Sequence, residues 1–62
     1  MNIKFAILVF YLLNGNVASV EWSTYPNIKQ CQKDTSNVIA EFYEYYPTYT
    51  LVSTQCVSLS GP

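Results

Sequence analysis

The chain has 62 residues, with 3 lysines, no arginine or histidine and 4 acidic side chains, for a formal charge of −1. Three cations cannot neutralise the row of phosphates that nucleic-acid binding requires, nor line the basic face of a cationic membrane-active helix. Without histidine, a Ser–His nucleophile cannot be assembled.

Met1-Asn2-Ile3-Lys4 places one basic side chain beside the amino terminus, and Phe5 to Leu13 is an unbroken apolar run. Asn14-Gly15-Asn16 interrupts it, and Val17-Ala18-Ser19 supplies small residues. That order of basic, apolar and small residues is the pattern of a secretory signal peptide. The expectation is a leader helix over residues 1–19, cleaved to leave a mature domain over 20–62. The apolar run is short for a spanning helix, which needs about 20 residues. The alternative is a leader that is retained as a membrane anchor.

In the mature chain, Val20-Glu21-Trp22-Ser23-Thr24-Tyr25 alternates and carries β-favouring residues, so it reads as a short strand or an extended arm. Pro26 holds Tyr25 extended. Asn27 with Gln30 three residues on is a capping box. Behind it Ile28, Cys31, Thr35, Val38, Ile39, Phe42 and Tyr46 recur at three- and four-residue steps. They form one apolar stripe of a helix over about residues 28–45, which Pro47 ends. The stretch over about residues 48–57 is rich in β-branched and aromatic residues and predicts a strand. Thr50, Val52, Thr54 and Cys56 fall on one face, and Tyr49, Leu51, Ser53, Gln55 and Val57 on the other. Ser58 to Pro62 is expected to be a loose tail.

Cys31 and Cys56 are the only cysteines. A helix from Cys31 to Tyr46 rises about 22 Å, and a strand from Thr48 to Cys56 runs back about 26 Å. A hairpin turning at Pro47 therefore brings the two sulfurs together at its open end. The spacing predicts a structural disulfide, which the chain-entropy model values at about 3 kcal/mol. A redox pair would be closer in sequence, and zinc would need further soft or imidazole ligands. The fold class is α+β: a minimal helix–strand hairpin, or β-α-β with the N-terminal strand, closed by one disulfide and preceded by the signal helix.

No catalytic residue, metal ligand or cofactor site is predicted. Glu41 and Glu44 lie one turn apart on a polar helix face and cannot flank a substrate as hydrolytic carboxylates must. The candidate contact patch is aromatic: Tyr43, Tyr45 and Tyr49 around the turn, with Trp22 on the N-terminal arm. Tyrosine and tryptophan give large, rigid contact area with a polar tip. Phe42 and Tyr46 are assigned to the buried stripe. Exposed strand edges also invite homodimerisation by strand pairing.

The outline combines a leader, a Trp-containing arm, and Cys31 opening an amphipathic helix. Tyr46-Pro47-x-Tyr49-Thr50 follows, and then a strand ending Thr54-Gln55-Cys56-Val57. It resembles small uncharacterised exported proteins of tailed bacteriophages and their bacterial hosts. The resemblance implies a periplasmic setting and a helix–strand staple, and carries no catalytic residue across. The functional expectation is a non-catalytic interaction module, periplasmic or extracellular, with an envelope or secreted protein as partner. The alternative is a small envelope protein tethered by its leader.

Overall fold

Asn14 and Gly15 both have positive φ, 53° and 83°. Two consecutive left-handed residues make a two-residue hairpin turn whose twist matches the flanking strands, and Asn-Gly is its commonest sequence. The turn joins β1 (Phe5–Leu13) to β2 (Asn16–Tyr25). Two helices follow, α1 (Ile28–Lys33) and α2 (Thr35–Tyr45), and then β3 (Thr50–Ser58). The computed structural model describes residues 4–59.

The sheet order is β2-β1-β3, and β1 is antiparallel to both neighbours. Its apolar run is therefore the central strand, where a signal helix was expected. A continuous apolar run bounded by turn residues suits a strand between two neighbours as well as it suits a leader. Residues 1–3 of the leader pattern lie outside the described residues. β2 and β3 point the same way, and a β-α-β unit would make them parallel neighbours. They are separated by β1 and do not pair, so the minimal hairpin becomes a three-stranded sheet with helices on one face. Among the described residues no helix is long and apolar enough to cross a membrane.

The helical segment starts where predicted. Asn27 Oδ1 accepts from the Gln30 backbone N–H at 2.9 Å, and the Cys31 N–H reaches the Asn27 carbonyl. One helix becomes two because Asp34 (φ −88°, ψ 0°) interrupts it. The Asp34 carboxylate is engaged at once by the Tyr25 hydroxyl and the Asn37 side-chain amide. α2 stops at Tyr45, two residues before Pro47. The Tyr49 N–H then bonds the Tyr46 carbonyl at 3.2 Å. Pro47 occupies the second position of this turn, where its fixed φ is favourable.

The core comprises Ile7 and Val9 of β1, Cys31, Val38 and Phe42, all 0–1% exposed. Full burial of aliphatic and aromatic side chains contributes about 1.5–3 kcal/mol each. Two bulges, each in an edge strand, shape this layer. Opposite Ile7 and Leu8, β2 carries an extra residue at Trp22; opposite Phe10 and Tyr11, β3 carries one at Val52. An extra residue resets the alternation of faces. Trp22 and Tyr25 thereby both pack on the core, as do Leu51 and Cys56. The predicted faces of β3 hold at Thr54 and Cys56 and fail at Leu51, which turns inward while Val52 is half exposed. Ser58 belongs to β3, and the Leu59 N–H bonds the Lys4 carbonyl, so the predicted tail is tied down to that point.

Cys31 and Cys56 form the predicted disulfide, with Cα atoms 6.1 Å apart. Cys56 is in register with Ile7, so the bridge fastens α1 to the sheet beside the core. Two outcomes follow. Replacing both cysteines by alanine lowers unfolding free energy by about 3 kcal/mol, measured by urea titration. A chain beginning at Val20 lacks β1, two core residues and every partner of β3. It gives a disordered far-UV spectrum and collapsed amide dispersion even when oxidised; cooperative unfolding of that fragment would refute the central role of β1.

Candidate functional site

At the hairpin-turn end of the sheet, five aromatic rings close a circuit. Trp22 lies 6.0 Å from Phe42, Phe42 5.7 Å from Tyr11, and Tyr11 5.7 Å from Tyr49. Tyr49 lies 5.5 Å from Tyr46, and Tyr46 6.3 Å from Trp22. Together with Val20, these residues line a cleft of about 190 Å³. This is smaller than the roughly 300 Å³ at which pockets for drug-sized molecules begin. The cleft suits a compact group.

Each ring is placed by local chemistry. Tyr11 follows Ile7 and Val9 along the core-facing side of β1 and pairs with Leu51. Val20 and Trp22 project from the same side of β2. Phe42 forms the floor from α2 and is 1% exposed. Tyr46 and Tyr49 are the first and last residues of the Pro47 turn. That turn stacks their rings within 12° of parallel, and Tyr49 stacks in the same way on Tyr11. The Trp22 indole N–H donates to Glu41 Oε1 at 3.1 Å, which fixes the ring against α2.

The structure distributes the four predicted patch residues unequally. Trp22 and Tyr49 line the cleft. Tyr45 packs on Trp22 from outside at 6.3 Å and is 68% exposed. Tyr43 emerges on the other side of α2, where its hydroxyl accepts the Leu51 N–H at 3.2 Å beside the β3 bulge. Tyr43 and Tyr45 thus flank the buried stripe on opposite sides, as their helical spacing implies. Tyr46, assigned to that stripe, is 45% exposed because the helix has ended before it. Tyr11 and Val20 were missed. Tyr11 lay inside the presumed leader, and Val20 became significant only once β1 and β2 paired.

A second polar cluster occupies the opposite end. Tyr25, Gln30, Lys33, Asp34 and Asn37 line an open groove. The hydrogen bonds from Tyr25 and Asn37 hold the Asp34 carboxyl below its ordinary pKa. Burial, followed by the bond to Asp34, raises the Tyr25 phenol above its ordinary value. Among the described residues no three Cys, Asp or Glu side chains gather to hold a metal ion.

No protein-family model, curated protein or solved structure matches the chain.

The Tyr25–Asp34 pair predicts two limbs in the pH profile of stability. Asp34, depressed in the fold, contributes above its unfolded pKa near about 4. That contribution fades as pH falls through the lower folded value. Tyr25, raised in the fold, contributes below its unfolded pKa near about 10. That contribution fades as pH rises through the higher folded value. Tyr25→Phe weakens the acid limb and abolishes the alkaline contribution of this residue. Urea midpoints measured across both ranges check this; a variant profile parallel to that of the wild type would refute the coupling.

Proposed function

We propose that the chain is a non-catalytic binding module of an oxidising compartment, and that the aromatic cleft is its binding element. One observation carries the reading. Tyr46 and Tyr49 are held by a proline turn at the mouth of a closed ring circuit, yet remain 45% and 37% exposed. A recognition surface keeps such rings accessible and pre-set. The arrangement offers π faces, phenol hydroxyls and an apolar floor, which is a vocabulary for binding.

The Cys31–Cys56 bridge supports a setting outside the reducing cytosol, where such bonds persist. It is consistent with an exported protein, periplasmic or extracellular, acting on an envelope or secreted partner. In this reading β1 remains part of the working domain.

A fragment screen by amide NMR tests the assignment of the binding element. Compounds that bind should shift Tyr11, Val20, Trp22, Phe42, Tyr46 and Tyr49 and leave the Tyr25–Lys33 groove unmoved. Tyr49→Ser should abolish most of these shifts, while Tyr43→Ser should keep them. Shifts clustered in the groove, or unaffected by Tyr49→Ser, would refute it.

A further inference from the structure

Building on the binding role of the cleft, we infer that it receives a compact organic cation, a quaternary or methylated ammonium head group. Aromatic faces attract such cations through the ring quadrupole, most strongly where water is excluded. Five rings converge here, and none of the residues lining the cleft is basic. The size excludes a large ligand and admits a head group.

The charges of the chain are sorted in the same sense. All three lysines lie away from the cleft. Lys4 precedes β1, about three strand steps or 10 Å from Ile7, opposite which the bulge places Trp22. Lys29 and Lys33 sit on α1, and α2 alone interposes about 16 Å before Tyr46. Both distances exceed the roughly 8 Å screening length at physiological salt. Glu41, by contrast, lies on the second half of α2 beside the cleft, bonded to the Trp22 indole. α2 also ends there with no basic residue in its last turn. Its unbalanced carbonyls add partial negative charge at the point where Tyr46 begins. Glu41 acts on the site a second way. By accepting the hydrogen bond from the Trp22 indole N–H it pushes electron density into that ring, which deepens its attraction for a cation.

Trp22 is the only tryptophan, so its fluorescence reports directly on the cleft. The probes are choline and tetramethylammonium chloride, with sodium chloride as the ionic-strength control. The further probe is 3,3-dimethylbutan-1-ol, which has the shape of choline with carbon in place of the charged nitrogen. Saturable change with both cations, at least about tenfold tighter than with the neutral alcohol, is expected. Tyr49→Ala should weaken choline several-fold, and Tyr49→Phe, which keeps the ring face, should restore it. Glu41→Gln should weaken choline while leaving the alcohol unchanged. Equal or tighter binding of the alcohol overturns the cation assignment and leaves the cleft as a binding site for neutral groups. Absence of saturation by either cation, in protein with native amide dispersion, also overturns it. The fragment screen then decides separately whether the cleft binds at all.

Discussion

The fold depends on one strand being satisfied on both edges. β2 and β3 never pair, and each takes its ladder from β1. β1 also supplies Ile7 and Val9 to the core cluster, and Tyr11 to the aromatic circuit. A domain of about 60 residues buries a modest fraction of its surface, so it has no reserve with which to replace a central strand. The disulfide acts on this framework and does not create it. It joins α1 to the strand already in register with Ile7, which limits how far the helices can lift from the sheet.

The two bulges carry the second level of organisation. Each interrupts an edge strand, and each turns a large side chain toward the helices: Trp22 from β2 and Leu51 from β3. The same feature disfavours the strand pairing between chains that plain edges would invite, because a bulge twists an edge out of line. Tyr43 completes the arrangement on β3 by accepting the Leu51 N–H next to the irregularity. One aromatic of the predicted patch thus serves the framework, while its neighbours two and three residues on in the chain face the cleft side of α2.

The sequence was legible where chemistry is local. The Asn27 cap, the stripe through Cys31, Val38 and Phe42, the stop before Pro47, and the matched lengths that unite the cysteines all depend on spacings within one element or one hairpin. Long-range pairing was not legible. Nine apolar residues satisfy the demands of a leader core and of a strand between two neighbours equally well, and composition does not separate them. Asn14-Gly15 held the missing clue, since adjacent left-handed residues between strand-like runs define a hairpin. The bulges had no local mark, so the inward turn of Leu51 could not be read from alternation. The cleft was half visible for the same reason: Trp22 and Tyr49 stood out by type, and Tyr11 was hidden within the run read as a leader.

The resulting molecule has two unlike ends. One is pinned by polar bonds and the staple: Asn27 caps α1, Asp34 takes bonds from Tyr25 and Asn37, and the disulfide lies close by. The other is aromatic, with stacked tyrosines above a floor of Phe42. This asymmetry follows from where rigidity is supplied. A stapled, capped end fixes the start of the helical layer, and α2 transmits that position along its length to the Pro47 turn. The turn can then hold two half-exposed rings in parallel without burying them. Pre-setting the rings in this way removes much of the ordering cost that a flexible site would incur on binding. The strand, the staple and the proline thus act on the same quantity, the placement of the aromatic rim before any ligand arrives.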